Sequence, residues 1–385
     1  MYSIEREGVE VDAVDGHPSR PAPWPDGGRL DLSHIRPFAY LGWDGRGNMG
    51  DDAIRLALDE ALPGASFIAM AHGPGELARL LASTDRRIAL RSQLLVGGGT
   101  IIGRRNWRYL VSAALVLTAG RTPLMIGAGV EDPVFQGRHS FSSRNELMRW
   151  RPLLGHFDRV TVRGPRSQEL LATVGVDATV VGDPALLLEG PAVSAVEPDL
   201  LGVCLGFGSD LWSHAQEDVV HAVADVVRDL VQRSGMRIRF FVLNAEDFRW
   251  SIECIESAGL RIGECELVLA DDPVRFMESV SNCAVLVGQR LHSVVLASVC
   301  GVPSVMLEYQ PKCRDFMASM GREEWSFRTD QLAPGAIRDG IERLGAERAT
   351  HSRQIQDVVD TFRVLLRQEV TRIVDVVDTG VPGGR

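Results

Sequence analysis

The stretch VLVGQRLHS, residues 285–293, gives the clearest indication of the fold class. Its apolar, β-branched start predicts a buried strand, Gly288 ends that strand, and a helix follows through Cys300. In parallel α/β folds such a strand leads into a helix whose free N–H groups favour anions. Because Arg290 and His292 stand at that helix start, the stretch predicts one wall of an active site.

Short apolar runs alternate with helical segments on both sides of this stretch. They include Ser66–Met70, Gln93–Val96, Leu124–Ile126, Arg159–Val162, Thr179–Val181, Leu201–Leu205, Arg237–Leu243, Glu266–Leu269 and Ser304–Leu307. Such alternation predicts mainly parallel, doubly wound sheets with binding sites at the carboxyl ends of the strands. We therefore expect an α/β protein in which two Rossmann-like lobes face a cleft.

The predicted divisions are a flexible leader over residues 1–34, a first lobe over 35–190, a second lobe over 198–350, and a C-terminal helix and tail over 351–385. The leader carries prolines at positions 18, 21, 23 and 25 without hydrophobic periodicity. The segment from 188 to 198, which contains a glycine and two prolines, interrupts the alternation and predicts a linker.

Composition limits the class of protein. A net charge of −10 excludes a general nucleic-acid binder, since phosphate backbones require concentrated Lys and Arg. Six scattered cysteines without a C-x-x-C pair favour a reducing cytoplasm over a disulfide framework or a zinc site. The longest apolar segment, Tyr109–Gly120, is shorter than the roughly 20 residues of a membrane span. We expect a cytoplasmic protein without a transmembrane segment; contact with a membrane surface stays open.

Two glycine-rich turns follow strands in the first lobe. GNMGDD, residues 47–52, leads into a helix, and GGGT, residues 97–100, follows an apolar run. Glycines let the backbone pass close to a ligand, and Asp51 could then act on it. The structural alternative is that Asp51 or Asp52 caps the helix and that the second turn is merely tight.

Several cations stand at similar positions. Arg163 follows a predicted strand, as Arg290 does, and Lys312 follows the next strand of the second lobe. Guanidinium groups bind carboxylates and phosphates in a bidentate manner, so these side chains can converge on one anion. Asp183, in the turn GDPA at 182–185, is interpreted as structural. The structural alternatives are that Arg163 is an ordinary surface arginine and that His292 is a buried, hydrogen-bonded histidine without a chemical role.

Taken together, six motifs resemble those of the polysaccharide pyruvyl transferase family. They are the turn at 47–54, the turn at 97–100, VRGPRS at 162–167, VGDPA at 181–185, GQRLH at 288–292, and GVP with YQPK at 301–303 and 309–312. The resemblance runs in order from about residue 40 to 321. It departs at Gly164, where the family often has Asp.

The resemblance implies a two-lobed fold of the glycosyltransferase-B type. It also implies that a pyruvyl group moves from phosphoenolpyruvate to a sugar, a precursor of a cell-surface glycan or glycolipid, as a cyclic ketal. No metal or other cofactor is implied. The acceptor can be lipid-linked or free, and its identity is not readable from the motifs.

The chemistry of this reaction suggests roles for the named residues. Phosphoenolpyruvate carries a phosphate and a carboxylate, for which Arg163, Arg290 and Lys312 are the predicted holders. His292 is the predicted acid and Asp51 the predicted base on the acceptor. The remaining predicted substrate-binding residues are Asn48, Gly98 and Gly99. Whether His292 or a carboxylate across the cleft delivers the proton stays open.

Two other functions fit the same sequence. A metal-independent nucleotide-sugar glycosyltransferase would use the same helix start to bind a diphosphate. A non-catalytic member of the family would bind a glycan or act as a scaffold for envelope enzymes. Binding of phosphoenolpyruvate, as opposed to a nucleotide diphosphate, distinguishes the first hypothesis from these two.

Overall fold

The computed structural model describes residues 37–83, 85–135, 144–191, 195–206, 212, 215–270 and 272–379. The predicted leader, residues 1–34, lies outside this part of the chain. The described residues belong to a single unit that contains two parallel sheets.

The first lobe is built on one four-stranded parallel sheet. The strands of the whole lobe are β1 (Phe38–Leu41), β2 (Phe67–Ala69), β3 (Gln93–Gly97), β4 (Thr100–Ile102), β5 (Leu124–Ile126), β6 (Gly129–Val130), β7 (Thr161–Val162) and β8 (Thr179–Val180). The sheet has the order β2-β1-β3-β5, and two short parallel pairs join β4 to β6 and β7 to β8. Every residue of β1, β3 and β5 is buried, as expected for parallel strands covered on both faces.

Helices follow the carboxyl ends of several of these strands. They are α1 (Met49–Ala61), α2 (Pro74–Ala82), α3 (Asp85–Ala89), α4 (Arg105–Leu117), α5 (Arg144–Leu154) and α6 (Pro165–Ala172), and a 3₁₀ helix covers Pro184–Leu187. The turns before α1 and α6 therefore place the 47–52 motif and Arg163 next to strand ends. The buried core of this lobe includes Trp150 of α5 and Phe157.

The second lobe contains a six-stranded parallel sheet. Its strands are β9 (Glu197–Cys204), β10 (Arg237–Val242), β11 (Glu266–Leu269), β12 (Cys283–Gly288), β13 (Ser304–Glu308) and β14 (Ser326–Arg328), in the order β11-β10-β9-β12-β13-β14. Its helices are α7 (Gln216–Ser234), α8 (Asp247–Ser257), α9 (Pro273–Val280), α10 (Leu291–Val299), α11 (Pro311–Ser319) and α12 (Pro334–Ala346). Short 3₁₀ helices cover Ile262–Glu264, Glu323–Trp325 and Thr329–Gln331. The stretch 285–293 thus ends a strand and begins α10, as predicted.

The final helix, α13 (Arg348–Thr379), returns from the second lobe to the first. Arg363 donates from Nε to the carbonyl of Leu186 at 3.0 Å and from Nη2 to that of Leu188 at 2.7 Å. Phe362 packs against Gly182, whose φ of +90° and close contact with the ring both require glycine. The end of the chain therefore supports the turn that carries Asp183.

The predicted α/β class and the two Rossmann-like lobes are confirmed. The short strands β4, β6 and β14 were not predicted, because runs of two or three residues carry too little periodicity to be recognised. Across the described residues, no helix is long and apolar enough to cross a bilayer. The predicted lobe boundaries at 35–190 and 198–350, and the C-terminal segment at 351–385, stay predictions.

Candidate active site

A cavity of about 480 Å³ is lined by residues of both lobes. All eight residues predicted to form the site border it: Asn48, Asp51, Gly98, Gly99, Arg163, Arg290, His292 and Lys312. The first lobe supplies the start of α1, the glycine turn after β3, and the residue after β7. The second lobe supplies the starts of α10 and α11. The sequence thus predicted which residues lie together, while their roles stay predictions.

The start of α1 is capped by Asn48, so Asp51 is not needed as the cap. The Asn48 side chain accepts a hydrogen bond from the Gly50 N–H at 3.2 Å, and its amide donates to the Asp51 carboxylate. Asp52 instead accepts from the Gly45 N–H at 2.6 Å. The capping alternative therefore does not account for Asp51, which is buried at the cavity wall.

Asp51 and Lys312 both have pKa values moved toward neutrality. Burial raises the pKa of the Asp51 carboxyl to about 7, against the opposing effect of the Lys312 charge. Burial lowers the pKa of the Lys312 ammonium group to about 8. Both groups can therefore exchange a proton near pH 7, which exposed Asp and Lys side chains do not.

The ring of His292 lies directly against Gly50 of the other lobe. A Cβ atom at Gly50 would lie 1.9 Å from His292 Nδ1, so only glycine leaves room for the imidazole. Burial lowers the pKa of His292 to about 4, and the nearby Asp183 carboxylate acts in the opposite direction. The imidazole is therefore neutral at pH 7 in the protein alone.

Asp183 lies between the predicted acid and a predicted anion holder. Its Oδ2 atom is 3.5 Å from Arg163 Nη1 and 3.7 Å from His292 Nε2. Its Oδ1 atom accepts from the Ala185 N–H at 3.0 Å and thereby caps the 3₁₀ helix. The prediction that Asp183 is structural holds for this cap, but the sequence did not reveal that the same carboxylate joins Arg163 to His292.

Several buried polar atoms at this wall have no hydrogen-bond partner within the described chain. They are Arg163 Nε and Nη1, Asp183 Oδ2, His292 Nε2 and Thr100 Oγ1. Buried polar atoms of native proteins are nearly always paired, and exceptions cluster where a ligand or water supplies the partner. Arg163 Nη1 and His292 Nε2 face Asp183 Oδ2 at 3.5 and 3.7 Å, so the atoms that indicate a polar ligand are Arg163 Nε and Thr100 Oγ1, which belong to residues that line the cavity.

Arg290 is held by two carboxylates of its own lobe. Its Nη2 atom lies 2.5 Å from Asp247 Oδ1 and 2.6 Å from Glu246 Oε1, and its Nε atom donates to Asp247 at 3.1 Å. The guanidinium group borders the cavity with its charge largely balanced. Asp247, at the start of α8, was not recognised from the sequence because it lies more than 40 residues away from Arg290 along the chain.

The glycine turn after β3 has a packing role beside any binding role. Gly98 and Gly99 have φ values of +56° and +69°, which favour glycine. A Cβ at Gly98 would lie 2.3 Å from Ile54 Cδ1, and one at Gly99 would lie 3.3 Å from Asp51 Oδ1. The turn therefore lets α1 approach β3 closely enough to bring Asp51 to the cavity.

Gly164, before α6, lies beside a carboxylate of the other lobe. Asp315 of α11 accepts hydrogen bonds at the start of α6, from Arg166 N at 2.9 Å and from Ser167 Oγ at 2.6 Å. A Cβ at Gly164 would lie 2.2 Å from Asp315 Oδ1, which explains the glycine. A side chain distant in sequence thus caps α6, and no local pattern could have predicted it.

A metal site would need clustered ligands. Over the described ranges, no group of three or more His, Cys, Asp or Glu side chains is arranged to hold a metal ion. The cations Arg163 and Lys312 and the unpartnered polar atoms instead suit an organic anion.

Comparison with solved structures shows the fold. The chain is similar to the UDP-GlcNAc 2-epimerase of Neisseria meningitidis bound to UDP-GlcNAc, with 10% identity, a TM-score of 0.52, and coverage of 89% of this chain and 99% of that one. It is also similar to Anabaena HepE in complex with UDP and glucose, with 12% identity, a TM-score of 0.55, and coverage of 89% and 100%. The S. aureus MnaA complex with UDP has 11% identity, a TM-score of 0.55, and coverage of 90% and 98%. These similarities show the predicted fold of the glycosyltransferase-B type.

Sequence comparison identifies the family. No curated protein matches the chain. The family model for polysaccharide pyruvyl transferase matches residues 48–311, from the Asn48 cap of α1 to the start of α11, and so covers every predicted site residue except Lys312. The chain therefore belongs to the polysaccharide pyruvyl transferase family.

Proposed function

We propose that the protein transfers a pyruvyl group from phosphoenolpyruvate to two hydroxyl groups of a sugar, forming a cyclic ketal and releasing phosphate. The observation that carries this proposal is the convergence of Arg163, Lys312, Asp51 and His292 on one cavity between the lobes. Two cations suit a donor with two anionic groups, while a carboxyl and an imidazole suit proton transfer. The acceptor we propose is a cell-surface glycan precursor, free or lipid-linked, that is modified in the cytoplasm.

The donor has two anionic ends, and the cavity offers separate holders for them. Arg163 is buried, its Nη1 atom lies 3.5 Å from the Asp183 carboxylate, and its Nε–H has no hydrogen-bond partner in the described chain and can donate to the carboxylate or the phosphate. Lys312 is a compact charge suited to the other end. We assign Arg290 the lesser part in holding the anion, because two carboxylates, Asp247 and Glu246, pair with it. Among the described residues, Asp183 alone lies within ion-pair range of Arg163.

The transfer balances as an addition followed by a substitution. A proton adds to the methylene carbon of phosphoenolpyruvate, and the neighbouring carbon becomes electrophilic. One sugar hydroxyl forms a C–O bond to that carbon and gives its proton to a base. The C–O bond to phosphate then breaks with its electron pair leaving on phosphate, a second hydroxyl closes the ketal, and phosphate takes up the remaining proton.

His292 is our proposed acid and Asp51 the proposed base. In the protein alone the pKa of His292 is about 4, because burial disfavours the charged ring. A phosphate dianion beside the ring raises that pKa, so donor binding itself would charge the acid. Asp183, 3.7 Å from Nε2, would stabilise the imidazolium ion. Asp51, with a pKa of about 7, is ionised enough near neutrality to accept the hydroxyl proton.

Incubation with phosphoenolpyruvate and a panel of glycosides tests this function. We expect phosphate release together with a product that is heavier by one pyruvic acid less one water. The His292→Ala variant should lose turnover by at least about a hundredfold and remain folded. Calorimetry in buffers of different ionisation enthalpy should reveal proton uptake when phosphoenolpyruvate binds.

Other outcomes would contradict the proposal. Binding of UDP without binding of phosphoenolpyruvate would favour a nucleotide-sugar glycosyltransferase. Absence of both phosphate release and product across a broad panel would favour a non-catalytic glycan-binding or scaffold protein. Near-normal turnover by the His292→Ala variant would remove the acid assignment, and Asp51 would then be the proton donor to test.

A further inference from the structure

Three aromatic side chains form a cluster in the part of the cavity that belongs to the first lobe. The ring centroids of Trp43 and His72 are 5.2 Å apart, those of His72 and Trp107 are 5.3 Å apart, and those of Trp43 and Trp107 are 6.1 Å apart. Every pair meets edge to face, and all three residues line the cavity. We call this group the aromatic cluster.

Trp107 of the aromatic cluster packs against the core of the first lobe, but Trp43 does not lie in the core. Trp43 is 41% exposed, whereas Trp150 in the same lobe is fully buried. An exposed indole at a cavity wall leaves apolar surface in contact with water. Such surface is available to contact a ligand. Binding pockets commonly pair such aromatic surface with a few polar groups that fix the orientation of a ligand.

Charged side chains outside the cluster hold its two loops together. Arg46 Nη2 lies 2.7 Å from Glu76 Oε2, and the same oxygen accepts from the His72 backbone N–H at 2.8 Å. The Arg46 guanidinium carbon also lies 5.0 Å from the centroid of the Trp43 ring. Glu76 therefore fixes the loop that carries Trp43 relative to the loop that carries His72, so the rings are positioned before any ligand arrives.

A polar atom of the cluster needs a partner. His72 Nδ1 is buried and has no hydrogen-bond partner within the described chain. Burial lowers the pKa of His72 and the Arg46 charge acts in the same direction, while the Glu76 carboxylate and a hydrogen bond to the Gly42 backbone act in the opposite one. A lowered pKa favours the neutral imidazole, which exchanges hydrogen bonds with hydroxyl groups without attracting an anion.

We propose that the aromatic cluster is the acceptor subsite and binds a pyranose ring of the acceptor glycan, with a C–H face of the sugar against indole and a hydroxyl group at His72. Trp43 precedes the 47–52 turn, so a sugar held there lies in the same cavity as Asp51. The assignment as acceptor subsite rests on the proposed function. Recognition of the sugar itself does not, and it can be measured without phosphoenolpyruvate.

Saturation-transfer difference NMR on the full chain tests sugar binding directly. The probes are the methyl β-glycosides of glucose, galactose, mannose and N-acetylglucosamine, each with the protein alone. We expect ring C–H signals from at least one probe, and we expect Trp43→Ala and Trp107→Ala to reduce them. Signals that persist unchanged in both variants would overturn the proposal.

Kinetics with an acceptor that is turned over give a second measurement. Trp107→Ala should raise the acceptor KM by about tenfold, and Trp107→Phe by less, while the KM for phosphoenolpyruvate stays unchanged. Tyr109→Ala is the matched control, because Tyr109 lies on the same helix, is 52% exposed, and lies outside the cavity lining. If Trp107→Phe and Trp107→Ala both fold and both keep the acceptor KM of the unchanged protein, the proposed acceptor subsite is wrong.

The two proposals fail in different ways. Sugar signals that depend on Trp43 and Trp107, without any transfer from phosphoenolpyruvate, would support the subsite and remove the pyruvyl transfer. Transfer that is insensitive to both tryptophans would do the reverse. UDP binding that depends on these tryptophans, without any glycoside signal, would make the aromatic cluster a nucleobase site and overturn the proposal.

Discussion

Among single residues, Gly50 and His292 form a contact between the lobes at the proposed catalytic site. The glycine is the second residue of α1, and the imidazole occupies the space where its side chain would be. Asp183 approaches the same ring from another side and also contacts Arg163. The position of one proposed catalytic group thus depends on a missing side chain and on a carboxylate, neither of which needs to touch the substrate.

The Gly50→Ala substitution should reduce turnover as strongly as a substitution of His292 itself. The added methyl group forces the imidazole away, so we expect turnover to fall by at least about a hundredfold. Gly75→Ala is the matched control, because Gly75 is the second residue of α2 and a Cβ there would have no neighbour within 4 Å. Turnover and thermal unfolding of both variants check this, and full activity of Gly50→Ala would contradict it.

The pH dependence of phosphoenolpyruvate binding should reveal the titration of the Lys312 ammonium group. Because burial lowers the pKa of this group to about 8, the ammonium loses its proton as the pH rises through 8. The affinity for phosphoenolpyruvate should therefore fall above pH 8, by at most about tenfold per pH unit. In Lys312→Arg the guanidinium stays charged, so calorimetry between pH 7.5 and 9.5 should find no such fall. The same fall in both proteins would assign it to another group.

At the element scale, helix starts in one lobe are completed by side chains of the other. Asp315 of α11 caps α6, and His292 of α10 packs on α1. The starts of α1, α10 and α11 line the cavity, which concentrates N–H groups where the donor's anionic ends are proposed to bind. Correct docking of the lobes is therefore part of the site.

Asp315→Ala should lower both stability and activity. Loss of a helix cap costs about 1 kcal/mol, and here the cap also joins the lobes. Asp272→Ala is the matched control, since Asp272 caps α9 within its own lobe through the Arg275 N–H at 2.9 Å. Urea unfolding should find similar losses of stability, whereas only Asp315→Ala should reduce turnover. Equal turnover in the two variants would count against a role for this contact in lobe docking.

The elements could be predicted from sequence more fully than the contacts between them. The stretch 285–293 contains an apolar run, the glycine that ends it and Arg290 within one segment. The strand, the following helix and their position beside the cavity could therefore be predicted. Asp247, Asp315 and the aromatic cluster were not, because each meets its partner only through folding. Asp183 was interpreted from the sequence as structural, but its contact with His292 depends on the approach of the other lobe.

At the scale of the whole molecule, α13 ties the end of the chain to the first lobe. Phe362 and Arg363 hold the turn at 182–188, and Arg372 pairs with Asp158 beyond it. The turn carries Asp183, so this helix supports the site although none of its residues lines the cavity. A long helix that does not line the cavity thereby supports the turn whose carboxylate contacts Arg163 and His292.

Phe362→Ala should therefore weaken stability and activity together. Removing a buried phenyl ring costs about 3–5 kcal/mol, and here it also frees the Gly182 turn. Val364→Ala on the same helix removes a side chain that is 53% exposed and should change stability by less than about 0.5 kcal/mol. Urea unfolding and turnover at saturating substrate check both. If Phe362→Ala is destabilised but its turnover is unchanged, α13 does not support the active site.

The return of α13 also has a consequence for synthesis of the protein. This helix follows every other described element along the chain, so it leaves the ribosome after all of them. Until it docks, the Gly182 turn lacks Phe362, and the carboxylate between Arg163 and His292 lacks its support. A nascent chain can thus form both sheets without forming the complete site, and catalytic competence arrives after the last helix is released.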